Sequence, residues 1–488
     1  MATKTRTHPG LVLLLACVAQ FMVVLDVAIV NVALPTVQSD LHIGQGTVQW
    51  VVTAYGLMLG GFLLLGGRIA DLWGRRRTLL AGLTVFTIAS TLAGVAGSAG
   101  FLIAARALQG LGAAMIPPAA LAILAVTFEE GAARNRALGL YGATAGVSAS
   151  VGVIASGLLT AGPGWRWIFF INAPVGVGLI ALAVMFLPHE VAGTRRRERF
   201  DLAGAVTVTG GLLLLVYALG RSTDSGWASA STLGLLAAAA LLVATFVVIE
   251  ARSHSPLVPR AAVRNRTLGA ANLAAFLLFG SFFAFIFLGS LQMQQVLGYS
   301  ATKTGLAWLA TTVTSFFAAA TAGGKLVGPI GVRRLIAAGF TLLGLAAWLL
   351  TRVPAGAHYA TSLLPAFMLA GIAGGLAAPA IQIGALTGVP QSMAGLAGGL
   401  VETLREVGGG VGVAVVATVL ASGQRGSAVG SVVDQVAVTH AFHSAYWVMF
   451  GAAIVGLVTA PFAFPRERLG NSGGLAPVPA LPEPDARV

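Results

Sequence analysis

Apolar stretches of about 20 residues recur along this chain, and they constrain its fold more than any other feature. Each is long enough to cross a hydrocarbon core about 30 Å thick as a helix. Of the 488 residues, 57% are hydrophobic and only 9% are charged, whereas a soluble protein carries about 25% charged residues. The sequence therefore predicts an all-α polytopic membrane protein and argues against a large soluble helical protein.

Hydropathy predicts fourteen membrane spans, an even number that places both ends of the chain on one side. The spans lie near residues 11–34, 48–67, 79–98, 100–125, 136–160, 166–187, 202–220, 230–249, 267–290, 303–324, 332–351, 360–383, 396–421 and 441–463.

The basic residues indicate which side that is. Twenty-two lysines and arginines fall in the tails and loops of one side, against five on the other. Since cytoplasmic loops are enriched in Lys and Arg, both termini are expected in the cytoplasm. The net charge of +13 then reflects topology and attraction to anionic lipid, and we infer no nucleic-acid partner.

The sequence lacks the residue patterns typical of enzymes and metal sites. Cys17 is the only cysteine, which excludes an intramolecular disulfide and a cysteine-based metal cluster. His440 and His443, with only Asp434 nearby, are too few for a zinc site. The sequence carries no Walker motif, so we expect neither catalysis nor ATP-driven transport, and no metal or organic cofactor.

Two stretches of the chain resemble each other. "GRIADLWGRRRTL" begins at Gly67 and "GKLVGPIGVRRL" begins at Gly324, so that Gly331 aligns with Gly74. Gly328 occupies the position of Asp71, so the second copy keeps the turn but lacks the carboxylate. Internal repeats are common in transporters, and this one predicts two related halves that differ in function.

Five motifs in order, "LDVAIVNVALP", "GGRIADLWGRRR", "LIAARALQGLGAAMIPPA", "WRWIFFINAPVG" and "LREVGGGVGVAV", resemble those of the major facilitator superfamily. The similarity is to its fourteen-helix drug:proton antiporter branch. The resemblance implies two pseudo-symmetric six-helix bundles and two inserted helices, and we expect the protein to be a monomer. It also implies alternating-access efflux of small amphipathic drugs or antibiotics across the bacterial plasma membrane, with the proton gradient as the energy source.

The predicted organisation follows from the spans and the resemblance. It comprises a cytoplasmic N-tail (1–10), an N-terminal bundle (11–187), a basic linker (188–201), two inserted helices (202–250), a second linker (251–266), a C-terminal bundle (267–463) and a cytoplasmic C-tail (464–488).

The loop after the second span is a candidate gate. Gly67 and Gly74 permit tight backbone geometry, and the resemblance implies that Asp71 pairs with arginine and with neighbouring helix ends to close the cytoplasmic side. Arg75 and Arg76 are the nearest candidate partners. The alternative is that these arginines only set topology.

Charged residues inside spans are costly and usually functional. Asp26 lies about eight residues, or roughly 12 Å, from the outer end of its span, and Arg106 about six residues, or roughly 9 Å. The two side chains could therefore share a depth and couple transport to protons. The alternative is a static structural pair.

A second charged group lies in the thirteenth span, where Glu402 and Glu406 share a helix face and Arg405 is three residues from Glu402. We expect it to line the cavity and to bind cations or protons, or else to form a neutralised structural cluster. The fifth span keeps the small residues Gly152, Ser156 and Gly157 of the family's antiporter motif but has Val153 where a proline is usual. This departure makes the helix straighter and weakens the case for proton exchange.

Three alternatives to a proton-coupled drug exporter stay open. The nearest is a dedicated exporter of one secondary metabolite made by the producing cell. An uptake carrier and a non-transporting membrane receptor or scaffold are weaker alternatives. Asp26, Asp71 and Arg106 together argue against the receptor, because a non-transporting relative has no need to keep them.

Overall fold

A computed structural model describes residues 8–188, 201–226, 229–253, 256–354, 357–424, 428–429, 432–433 and 435–463. The predicted N-tail (apart from residues 8–10), nearly all of the linker 188–201 and the C-tail 464–488 lie outside the described residues.

The first part of the chain forms seven helices. They are α1 (Pro9–Asp40), α2 (Gln45–Trp73), α3 (Arg75–Gly94), α4 (Ala99–Thr127), α5 (Ala132–Ala161), α6 (Trp167–Phe170) and α7 (Asn172–Phe186). The inserted pair is α8 (Leu202–Ser225) and α9 (Ala230–Arg252).

The described residues of the remainder are also mostly helical and include one short antiparallel strand pair. Its elements are α10 (Arg260–Arg264), α11 (Arg266–Gln295), α12 (Ala301–Ala307), α13 (Leu309–Thr321), a π-helical turn (Ala322–Leu326), α14 (Val327–Ile330), α15 (Val332–Leu350), a second π-helical turn (Tyr359–Leu363), α16 (Leu364–Leu386), a 3₁₀ turn (Gln391–Met393), α17 (Ala394–Gln424), β1 (Ala428–Val429), β2 (Val432–Val433) and α18 (Gln435–Ala463).

The predicted all-α membrane fold is confirmed. Among the described residues, thirteen helical segments are long and apolar enough to cross a membrane, and they coincide with thirteen of the predicted spans. The remaining predicted span, 136–160, lies within α5, which has 30 residues and is about 45 Å long at 1.5 Å per residue. The first helix runs through Pro35 to Asp40, beyond its predicted end at residue 34.

Helix packing reflects the two related halves. In the first half α4 packs against α2 and α3, and α1 packs against α5; in the second half α11 packs against α17, and α16 against α13 and α15. The halves meet where α2 packs against α17 and where α5 packs against α13. The inserted helices pack against each other, and α8 also contacts α2 and α17.

The repeated turn has the same backbone geometry in both halves. Gly74, between α2 and α3, has φ 116°, and Gly331, between α14 and α15, has φ 84°. Both values lie in the region that side chains with a Cβ rarely adopt, so glycine is required at each turn. We call the end of the bundle that carries Gly74, Gly331 and the start of α17 the basic end, and the end that carries Asp40 and Arg166 the far end.

Candidate functional site

Asp26 on α1 and Arg106 on α4 are in direct contact inside the first half. Arg106 Nη1 lies 2.5 Å from Asp26 Oδ2, and both side chains are fully buried. Arg106 Nε also donates to the carbonyl of Val51 on α2 at 3.0 Å, and the guanidinium lies 4.2 Å from the centre of the Tyr55 ring. The sequence placed the two charges at one depth, and the structure joins them.

The other Asp26 oxygen is bound by two amide side chains. Gln109 Nε2 donates to Asp26 Oδ1 at 2.8 Å, and Asn172 Nδ2 donates to the same oxygen at 3.1 Å. Gln109 Oε1 accepts from Arg106 Nη1 at 2.8 Å, which closes the network, and Asn172 also donates to Ser90 Oγ at 3.0 Å. The carboxylate therefore has a counter-charge and hydrogen-bond donors on both oxygens and no access to water, an arrangement that meets the needs of a buried ion.

Sequence reasoning missed Gln109 and Asn172, although both stand in the quoted motifs. Gln109 is three residues from Arg106 on the same face of α4. Asn172 is the asparagine of "WRWIFFINAPVG", at the first residue of α7. A buried amide within a span is the signal that could have identified each of them.

The second charged group is centred on Arg405 of α17. Its Nη1 lies 2.5 Å from Glu402 Oε2 and its Nη2 lies 2.8 Å from Glu406 Oε1, so one guanidinium serves two carboxylates. Gln382 on α16 donates to Glu402 Oε1 at 3.4 Å, and the Phe279 ring centre is 5.6 Å from the guanidinium. With both carboxylates counted as ionised, the group has a formal charge of one negative unit.

The three charged side chains differ in exposure. The exposed fraction is 1% for Glu402, 13% for Arg405 and 24% for Glu406. In this conformation Glu402 is enclosed, because Arg405 and Gln382 cover its oxygens. The accessible acidic group is Glu406.

At the basic end, Asp71 binds the start of α17. Its Oδ1 accepts the Gly395 amide at 2.9 Å and its Oδ2 accepts the Leu396 amide at 2.7 Å. The first amides of a helix have no partner within the helix, and the helix dipole favours an anion there. A carboxylate of the first half thus caps a helix of the second half.

Glycines on both helices allow α2 and α17 to come this close. A Cβ on Gly67 would collide with the carbonyl oxygen of Gly395 and lie 3.1 Å from the Gly399 Cα. The backbones of α2 and α17 are therefore in contact, and the basic end is closed at this point.

The arginines of the predicted gate bind backbone carbonyls. Arg75 donates to the carbonyl of Gln391, just before α17. Arg76 donates to the carbonyls of Ala183 and Val184 at the end of α7, at 3.4 and 3.0 Å. Arg75 therefore bridges the two halves, whereas Arg76 stays within the first half.

Comparison with known proteins identifies the family. The model of the Major Facilitator Superfamily matches residues 16–413. The chain belongs to this superfamily. Its structure is similar to that of the human organic anion transporter MFSD10, with a TM-score of 0.68, 13% identity, and coverage of 93% of this chain and all of that one.

Two curated relatives of this superfamily member are named for antibiotic resistance or export. It is 41% identical over 366 residues to the puromycin resistance protein of Streptomyces alboniger, covering 74% of this chain and 72% of the relative. It is 39% identical over 420 residues to the cephamycin export protein of Amycolatopsis lactamdurans, covering 85% and 86%. The protein is thus a multi-pass membrane transporter of the superfamily and not an enzyme.

The small residues of α5 that match the family motif hold α1 close to α5. A Cβ on Gly152 would lie 2.7 Å from the Cβ of Ala28, and Ser156 Oγ donates to the carbonyl of Ile29 at 2.6 Å. Gly157 is exposed, with no atom within 4 Å of a Cβ placed there. Two of the three residues therefore fix the segment of α1 that follows Asp26.

Proposed function

We propose that this transporter exports small amphipathic drugs or antibiotics across the bacterial plasma membrane in exchange for protons. The single observation that carries the direction of transport is its similarity to relatives named for antibiotic resistance and export. The excess of basic residues at one end supports a topology in which that end and both termini face the cytoplasm.

The conformation fits one step of alternating access. Asp71 caps α17, and the backbones of α2 and α17 touch at Gly67, so the basic end is held shut. A second contact between the halves lies at Gly139 on α5, where a Cβ would come within 2.7 Å of the Gly323 Cα. Loading from the cytoplasm requires both contacts to separate.

Proton coupling is assigned to Asp26 and Arg106. In this conformation the carboxylate has the guanidinium and two amide donors, and a proton there would break favourable interactions. Movement of α1 relative to α4 would remove Arg106 and leave a buried, unpaired charge, which costs several kcal/mol. Taking up a proton removes that cost, so the protonation state of Asp26 follows the position of α1.

Substrate preference is assigned to the group around Arg405. Its excess negative charge and the accessible Glu406 favour cationic compounds, and the nearby Phe279 ring offers an apolar contact. This combination suits an amphipathic cation. A dedicated exporter of one secondary metabolite is the alternative, since the two named relatives each concern a single antibiotic.

The test uses everted membrane vesicles that hold an acidic interior. Puromycin or ethidium added outside reaches the cytoplasmic face of the transporter. We expect uptake of the compound and a simultaneous rise in the internal pH, both abolished when an ionophore collapses the proton gradient. Uptake that continues unchanged without the gradient would contradict proton exchange, and the absence of uptake for a panel of amphipathic compounds would contradict drug export.

A further inference from the structure

The first inserted helix lies on the seam between the two halves. On the side of the first half, a Cβ on Gly61 of α2 would lie 2.6 Å from Leu213 Cδ2 of α8. On the side of the second half, a Cβ on Gly410 of α17 would lie 3.5 Å from Leu219 Cδ1. Since α2 and α17 form the gate contact, α8 touches both helices that must separate when the basic end opens.

The end of the second inserted helix holds the linker that follows it. Glu250 Oε1 accepts the amide of Leu257 at 2.9 Å, and Oε2 accepts the amide of Val258 at 3.1 Å. The same carboxylate packs on the start of α8, where a Cβ on Gly204 would lie 3.2 Å from Glu250 Oε1. Two charge-assisted hydrogen bonds to consecutive amides fix the linker strongly.

The same linker is bound from the other side by the gate helix. Arg68 on α2 is 6% exposed, and its Nη2 donates to the carbonyl of Pro256 at 3.2 Å. Arg68 is three residues from Asp71, so the helix end that caps α17 is also tied to the inserted pair.

We propose that Glu250 and Arg68 are positioning residues of the gate, joined through residues 256–258 into a strap that ties α9 to α2 and stabilises the closed basic end. The linker continues through α10 into α11 of the second half, so the strap runs from the first half to the second. Opening the basic end must release it or carry the inserted pair along. This inference rests on the alternating access of the proposed function, but its test reads the gate without requiring transport.

The test measures distances between spin labels at the basic end. The exposed residues Arg77 and Ser392 are replaced by cysteine in a Cys17→Ser background, and the protein is placed in lipid nanodiscs. In the labelled protein without further substitutions, we expect a short distance between the two labels to dominate. Glu250→Gln removes one charge-assisted acceptor and should raise the ratio of long to short distances by about tenfold. Glu130→Gln, which removes an exposed carboxylate at the same end, should leave the distribution unchanged.

A second variant tests whether the two residues act through one strap. Arg68→Gln should shift the same distribution, and the double variant should shift it by less than the product of the two single effects. An unchanged distribution in Glu250→Gln, at normal elution from size exclusion, would overturn the proposal. A double variant whose ratio changes by the full product of the two single effects would also overturn it. So would a shift in Glu130→Gln equal to that in Glu250→Gln. A protein that transports nothing but shows these shifts would contradict only the proposed function.

Discussion

Asp71 Oδ1 accepts the amide of Gly395 at 2.9 Å, across 324 positions of sequence. With the Leu396 amide on the other oxygen, the carboxylate replaces the missing intrahelical partners of α17. The sequence repeat has no carboxylate at the matched position, Gly328. The closing interaction at this point is therefore supplied by one half only, and its loss cannot be covered by the other.

Asp71→Asn should impair transport while expression stays near normal. Asparagine keeps one acceptor oxygen, so one amide of α17 loses its charged partner, which weakens closure by about 1.5–3 kcal/mol. Gly328→Ala is the matched control, because no atom lies within 4 Å of a Cβ at that glycine. The effect of each variant is measured as drug accumulation in vesicles, normalised to the amount of transporter. Equal losses from the two changes would contradict an asymmetric gate.

Gly67→Ala should prevent full closure of the basic end. The added methyl group would collide with the carbonyl oxygen of Gly395 on the facing backbone, which cannot rotate away. Gly56→Ala on the same helix meets nothing within 4 Å and should stabilise α2 by up to about 1 kcal/mol. Transport and thermal unfolding of the two variants check this. Normal transport by Gly67→Ala would mean that the contact at Gly67 is dispensable.

The helices could be predicted from the sequence because a lipid environment requires each span to satisfy its own backbone hydrogen bonds. The partner of Asp71 could not, since the loop motif contains arginines beside it and nothing that indicates Gly395. Every residue except proline has a backbone amide. The sequence therefore does not show which amides a carboxylate from a distant helix will bind, until the two halves are packed together. Arg68 and Pro256 were missed for the same reason.

The pairing of Asp26 with Arg106 could be predicted, because helical rise converts sequence position into membrane depth. Depth does not give the direction of a side chain around the bundle, so Gln109 and Asn172 were not foreseen. The same limit applies to Glu402. Its enclosure depends on Gln382 of a different helix and on Arg405 turning towards it.

Glu406→Gln should lower the affinity for cationic ethidium about three- to tenfold and leave that for the neutral drug chloramphenicol unchanged. The change removes the excess negative charge next to Arg405 at the most exposed of the three side chains. Glu402→Gln should lower cation affinity too, together with thermal stability, because its carboxylate is buried against Arg405. Binding of both drugs to purified protein measures the effect, and an equal fall for both drugs would rule out charge-based selection.

At the far end, Asp40 accepts hydrogen bonds from Trp165 Nε1 at 3.0 Å and Arg166 Nη1 at 2.8 Å. These hydrogen bonds hold the pKa of Asp40 below its usual value of 3.8. A lowered pKa means that the carboxylate stabilises the fold above pH 3.8 and loses that effect as the pH falls through the lowered pKa. Asp40→Asn should therefore lower the Tm slightly at pH 7, and this difference should shrink as the pH falls below 3.8. A Tm difference between the wild type and Asp40→Asn that grows as the pH falls would contradict this prediction.

Because Asp26 and Arg106 neutralise each other, a substitution at Asp26 should partly rescue the loss of Arg106. Arg106→Ala leaves Asp26 buried without its counter-charge, which should destabilise the protein by about 3–5 kcal/mol. Adding Asp26→Asn to that variant removes the uncompensated charge and should restore part of the stability. The Tm of the single and double variants in detergent gives this comparison. A double variant less stable than Arg106→Ala would argue against mutual compensation.

The central claim is that Asp26 carries the exchanged proton, and Asp26→Asn tests it most directly because asparagine keeps the size of the side chain and one acceptor oxygen but cannot titrate. The measurement is the internal pH of energised everted vesicles on addition of a transported drug, with Glu130→Gln, which removes an exposed carboxylate, as the control. We expect the wild type to show a rise in internal pH and Asp26→Asn to show none, while drug binding remains. A wild-type pH response in Asp26→Asn vesicles would contradict the claim and leave the pair with Arg106 a structural one.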